Sequence, residues 1–155
     1  MFTSTEPVEG TAAGGLSILN LWGTGDDGAT VDNDPTESPV PFPYFPDSSG
    51  HGTRFIVVHM PPEGAGDDSG DTDLENAQPG ISHVFEPDNP GMHTSDTVDY
   101  GICLTGEVVL ELDDGAEQRI TPGTAVVQRG TRHRWVNRGT EVATLAFVVV
   151  AAQRD

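Results

Sequence analysis

The chain contains no lysine, and its seven arginines face 25 aspartates and glutamates, which leaves a formal net charge of −18. A molecule of that sign repels phosphate backbones and anionic headgroups, so nucleic-acid and membrane-surface partners are not expected. Cysteine is almost missing as well. Cys103 alone cannot form an intramolecular disulfide, and the opening MFTSTEPVEG lacks the basic-then-apolar order of a secretory leader, so the expected compartment is the cytoplasm. Long hydrophobic runs are absent too: the longest, Leu145 to Ala152, has eight residues where a spanning helix needs about 20, and it reads as a buried strand. Apolar residues make up only 35% of the chain, whereas it holds 19 glycines and 12 prolines. No window keeps an apolar period near 3.6, so long helices are disfavoured and turn-rich β structure is favoured.

At 155 residues the chain is the size of one domain with an arm. Residues 1–52 form that arm. It carries one short apolar burst, Leu16 to Trp22, and a proline-rich stretch in which Pro39, Pro41, Pro43 and Pro46 alternate with Phe42, Tyr44 and Phe45. That stretch reads as a structured segment laying its aromatics over the domain, with a polyproline ligand as the alternative. Residues 53–155 are the domain proper, interrupted near 63–80 by an acidic, Gly- and Pro-rich surface loop that lacks the Asp-x-Asp-x-Asp-Gly register of a calcium loop. Strands are expected at Arg54–Met60, Ile81–Phe85, Asp99–Leu104, Glu107–Leu112, Thr124–Gln128, His133–Asn137 and Val142–Val150, bounded by Gly or Asp turns. Antiparallel strands with no helix between them imply an all-β sandwich or closed barrel.

The period of two along a strand decides which polar residues can meet. If Asp99 points inward, Gly101 and Cys103 share its face while Tyr100 and Ile102 point out. His133 likewise shares a face with Trp135 and Asn137. Asp99, His133 and the nearby His93 can then converge.

Two motifs carry a family resemblance over roughly residues 53–151. His93, Ser95, Asp99 and Gly106 stand in the register of one, and Gly130, His133 and Asn137 in that of the other; on these the chain resembles the cupin superfamily. The segments HTSDTVDYG and VVQRGTRHRW are also similar to small bacterial and fungal single-domain cupins, some of them near natural-product genes. The resemblance implies a double-stranded β-helix, a jelly-roll barrel, with a divalent metal held by His93, Asp99 and His133. Cupins commonly pair sheet to sheet, which implies a homodimer. Ser95 stands where a second ligand histidine is usual and Asp99 where a Glu is, and Asp falls about 1 to 1.5 Å short of a contact near 2.1 Å. His59 is the further candidate ligand; His83 and His51 stand behind it, and Cys103 reads as a small core hydrophobe.

Two imidazoles and a carboxylate leave open positions on Fe(II), with Zn, Mn and Ni also compatible. Without a metal, Asp99 and His133 can serve as an acid/base pair. Arg119, Arg129, Arg132, Arg134 and Arg138 cluster around the second motif and read as partners of surface carboxylates. The functional alternative sets Arg129 or Arg132 against a substrate carboxylate at the mouth. Trp135 and Phe147 are candidate apolar walls, Tyr100 a candidate cap, and Gln128 a candidate for orienting a substrate oxygen. The leading expectation is a metal-dependent enzyme acting on a small carbonyl- or carboxylate-bearing metabolite by decarboxylation, dehydration or isomerisation, with oxygen-dependent cleavage if the metal is iron. The alternatives are a non-catalytic small-molecule-binding protein with a degenerate metal site, and a structural or storage protein.

Overall fold

The computed structural model describes residues 8–11, 16–31, 43–65, 75–76 and 78–155, with side chains from residue 16 onward. Nine strands follow one another among them: β1 (Val8–Thr11), β2 (Ser17–Thr24), β3 (Thr53–Met60), β4 (Thr97–Thr105), β5 (Val108–Leu112), β6 (Glu117–Ile120), β7 (Ala125–Arg129), β8 (His133–Val136) and β9 (Ala143–Ala151). They form a six-stranded sheet in the order β1-β2-β3-β9-β4-β7 and a three-stranded sheet in the order β6-β5-β8. Every pairing is antiparallel, and the two sheets face each other as a jelly-roll sandwich.

The arm is more integral than its composition indicates. Where one short strand was expected, β1 and β2 both join the large sheet, and β2 pairs with β3 from Ser17↔His59 to Thr24↔Thr53. Pro39, Pro41, Phe42 and the centre of the acidic loop lie outside the described residues. Ile81–Phe85 is not a strand: Ser82–Val84 forms a single 3-10 turn, and Phe85 makes an isolated bridge to His93. The Glu75 carboxylate holds this turn, accepting from Gly80 N (2.8 Å), Ser82 N (3.1 Å) and Ser82 Oγ (2.6 Å). The strand Glu117–Ile120 escaped the sequence reading because only Ile120 of its four residues is buried, so it shows no apolar alternation.

Alternation along β4 is clean. Thr97, Asp99, Gly101 and Cys103 are buried, whereas Tyr100, Ile102 and Leu104 are exposed. The interior divides into two apolar clusters. Cys103, Val108, Leu110, Ile120, Ala143 and Leu145 fill one, and Ile18, Tyr44, Ile56, Val58, Ile81 and Val149 form the other, with Met60 and Phe147 touching both.

Two motif glycines have local reasons. Gly106 has φ +69°, and a Cβ there would lie 2.7 Å from Ala143 Cα; Gly130 has φ +58°, and its Cβ would meet Ser95 O at 2.8 Å. Asn137 ties a turn: its Nδ2 donates to Met60 O and Glu141 O, both at 2.8 Å, and its Oδ1 accepts from Gly139 N at 2.8 Å.

Candidate functional site

A cavity of about 180 Å³ opens within the cluster that contains Tyr44. Its walls are mainly apolar, with Phe45, Phe85, Trp135 and Phe147 among them, and its polar side chains are His93, Asp99, His133 and Tyr44. An apolar cavity of about 150 Å³ suffices for benzene, so this one suits a molecule of single-ring size.

His93 and His133 are joined through their backbones, His93 N donating to His133 O (2.9 Å) and His133 N to His93 O (3.0 Å). That double bond pattern brings their ring centroids to 4.2 Å. Phe85 packs on His93 at 4.8 Å, Trp135 stands edge-on to His133 at 6.2 Å, and Phe147 lies 5.5 Å from Trp135, which completes an aromatic arc. Each imidazole Nδ1 lies against a backbone carbonyl, Gly91 O at 3.0 Å for His93 and Thr131 O at 2.8 Å for His133. A carbonyl only accepts, so Nδ1 carries the proton and Nε2 keeps the lone pair. Burial lowers the pKa of both rings; for His133, burial and the neighbouring His93 take it to about 4. Both are neutral at pH 7.

Asp99 is buried beside them, and its Oδ1 has no hydrogen-bond partner. Desolvation raises its pKa to about 6, against a smaller lowering from the Thr97 side chain. Among the described residues, no three His, Cys, Asp or Glu side chains come close enough to hold one ion. The donor set therefore does not gather into the three-ligand metal site that the resemblance implied: the imidazoles pack ring to ring, and Asp99 lines the same cavity.

Trp135 and Phe147 line the cavity, whereas several other candidates are placed elsewhere. Tyr100 is 53% exposed on the outer face of β4, and strand parity keeps it there. His59 alternates with the inward Val58 and Met60, so it faces outward and bonds Thr144 Oγ1 at 3.1 Å. Gln128 points in beside Asp99, yet its amide closes the following turn by donating to Thr131 Oγ1. Both arms of the Arg132 fork are engaged by Glu86, at 2.5 and 2.6 Å. Arg134 pairs with Glu111, Arg138 with Glu117 and Arg119 with Glu107. Arg129 lines a separate polar cleft, where Ser95 Oγ meets Thr97 Oγ1 at 2.8 Å. Cys103 is buried in the other cluster, with its thiol pKa raised by desolvation. His83 stands edge-on to Phe45 at 6.3 Å, and His51 is exposed.

Tyr44 was not among the site candidates drawn from the sequence. Its only signal was PFPYFP, an aromatic stretch in an arm, and nothing local says which cavity it reaches.

Residues 81–150 match the family model of the cupin domain, Cupin_2. Phomopsin biosynthesis cluster protein C' of Diaporthe leptostromiformis is 41% identical over 63 residues, covering 40% of this chain and 33% of that protein. The cupin-domain-containing oxidoreductase fogC of Aspergillus ruber is 33% identical over 100 residues, 53% of this chain and 48% of the relative. The chain thus matches a third to a half of the length of these curated relatives. Among solved structures, the polyketide cyclase RemF from Streptomyces resistomycificus superposes with a TM-score of 0.56 at 13% identity, covering 100% of this chain and 83% of that one. An RmlC-like cupin from Shewanella frigidimarina gives 0.52 at 12%, covering 97% and 88%. At these identities the structural likeness concerns the fold alone. Residues 81–150 thus carry the match to the cupin domain, and the jelly-roll barrel with one hollow half is the fold shared with these solved structures.

A carboxyl whose pKa rises from 3.8 to about 6 on folding destabilises the fold once it ionises, so its contribution worsens as pH climbs from about 4 to about 6. The imidazoles act in the opposite sense over an overlapping range, and comparison with a variant isolates Asp99. Asp99→Asn is expected to gain on the wild type through that window, reaching about 3 kcal/mol at pH 7 in denaturant melts. A gap independent of pH would contradict this assignment.

Proposed function

We propose that this cupin is an enzyme that moves a proton next to the carbonyl group of a small, largely apolar, hydroxylated metabolite, with Asp99 as the general base. The observation that carries the reading is the unpartnered, buried Asp99 Oδ1 in an aromatic-walled cavity. A carboxylate stripped of water and poised near pH 6 has the basicity that general-base catalysis near neutrality favours. The neutral Nε2 atoms of His93 and His133 accept hydrogen bonds, so they suit substrate hydroxyls rather than the carbonyl oxygen. Trp135 and Phe147 supply apolar walls. Two relatives named as a biosynthesis cluster protein and a cupin-domain-containing oxidoreductase support small-molecule tailoring as the setting.

A metal-dependent version is the second reading. It rests on the paired imidazoles, whose Nδ1 atoms are both fixed by backbone carbonyls, the arrangement that orients ligating histidines elsewhere. Fe, Mn, Zn and Ni are the candidate ions.

Pairing with a second copy, through the outer face of the large sheet, belongs to the same proposal. Trp22, Phe55, Val148, Tyr100 and Val127 are register neighbours in a row across five strands, each at least 38% exposed. Within β2, β3, β4, β7 and β9 the only acidic residue is Asp99, which points inward. In so acidic a chain, an apolar face free of carboxylates is where two copies approach without repulsion.

In D2O, α-proton exchange of 4-hydroxyacetophenone followed by NMR is expected to be accelerated by the wild type, with a rate that rises with pH through about 6 as Asp99 ionises. Asp99→Asn should lose at least about 100-fold of it, and an unchanged rate would sink the base assignment. Metal analysis of untagged protein reads the second version: stoichiometric metal, lost in His93→Ala and in His133→Ala, is its expected result, and none after reconstitution with the four ions removes it. Sedimentation velocity is expected to find a dimer that Tyr100→Glu/Val127→Glu converts to monomer, and a monomeric wild type rejects the pairing.

A further inference from the structure

Proton abstraction beside a carbonyl leaves negative charge on the carbonyl oxygen, and the two histidines cannot answer it. Their Nδ1 protons are committed to Gly91 O and Thr131 O, and their Nε2 atoms only accept. Two side chains lining the cavity can still donate: the Trp135 indole and the Tyr44 phenol. Trp135 is held between the rings of His133 and Phe147. Tyr44 is 6% exposed, and its phenol is held protonated by burial and by the charge of Asp99, with no hydrogen bond contributing.

Tyr44 belongs to the arm, yet its backbone is fixed at two points. Tyr44 N donates to Pro79 O at 2.7 Å, and the preceding Pro43 O accepts from Arg54 Nη2 at 2.9 Å. Arg54, itself 3% exposed, also donates through Nη1 to Thr24 O and Thr53 O, which anchors the segment to the inner face of the sheet. Gly80 makes room for this contact: a Cβ there would come within 2.4 Å of Pro43 Cβ. The ring is further braced edge-on by Phe45 at 4.8 Å. A donor fixed before the substrate arrives needs no reorganisation as charge develops.

We propose that Tyr44, delivered by the N-terminal arm, is a catalytic residue that donates its O–H hydrogen bond to the substrate's carbonyl oxygen opposite Asp99, so that the arm completes the active site. This rests on the proton-transfer reading and narrows its substrate class to single-ring-sized ketones with an acidic C–H. The step balances within the site. Asp99 Oδ1 takes the α-proton; the C–H electron pair becomes the C=C bond of the enolate, and the carbonyl π pair moves to the oxygen that Tyr44 holds. Return of the proton from Asp99 to the α-carbon regenerates the ketone and gives exchange, and return to the γ-carbon of the dienolate formed from a β,γ-unsaturated ketone gives isomerisation, with no oxidant or reductant consumed.

The test uses 4-nitrophenol, whose oxygen imitates the enolate oxygen, and 4-nitrotoluene, which has the same outline without it. Binding is measured on full-length Asp99→Asn protein, which mimics the protonated base. The added Tyr44→Phe change is expected to weaken 4-nitrophenol at least about 10-fold and to leave 4-nitrotoluene and the melting temperature unchanged. The added Trp135→Phe change serves as the control and should spare the phenol selectivity. Equal phenol binding with and without the Tyr44 hydroxyl overturns the proposal, as do selectivity that follows Trp135 instead, no measurable phenol binding, and parallel loss of both ligands. The proton-exchange result with Asp99→Asn reads the underlying reaction separately, so a phenol site that needs Tyr44 without any wild-type exchange leaves the donor in place and removes the base.

Discussion

The pairing of β9 with both β3 and β4 is the constraint from which the rest follows. Each residue of these strands is committed to one side of the large sheet by its register, from Thr53↔Val150 on one flank to Thr97↔Ala151 on the other. A slip of one residue would turn Asp99 outward and bring Tyr100 in. The same register sets Ile56, Val58, Phe147 and Val149 around the cavity, and it lines Phe55, Val148 and Tyr100 along the opposite surface. Site and apolar outer face are thus two sides of one pattern.

Inside the barrel, packing and chemistry are kept apart. One half is filled by Cys103, Leu145 and their neighbours; the other is left open, and there the polar groups face a cavity rather than close-packed carbon. Asp99 bears the cost. A carboxylate without a partner on Oδ1 opposes folding at neutral pH, and a fold keeps such a group where a ligand can satisfy it. The imidazoles differ, because each has one nitrogen satisfied by a carbonyl and gives up only its charged form.

Arm and barrel make one unit through groups that are themselves polar and buried. Arg54 reaches Thr24 O and Pro43 O, and Asn20 bonds Gln78, whose amide returns to Ile18 O. These bonds bind β2 and the segment after Pro43 to the barrel's open half, so an element of loop-like composition becomes part of the cavity wall.

Much was legible in order. Alternation in TVDYGICL assigned Asp99 and Cys103 to one face and Tyr100 to the other, because the period of a strand is a property of the backbone. The same rule applied to RFIVVHM turns His59 outward, away from the cavity, because it alternates with Val58 and Met60. The partners of Arg132 and Gln128 were not legible: Glu86 lies 46 residues away, and the Thr131 hydroxyl competes for the amide within one turn. The sequence by itself determined the all-β class, most of the turns and the side of the sheet that the residues of β4 occupy, since these depend on local backbone geometry. Only the tertiary structure decided that His93 and His133 meet ring to ring, and that Tyr44 lines the cavity. Those contacts depend on strand order and loop closure across tens of residues, where no local period carries the information.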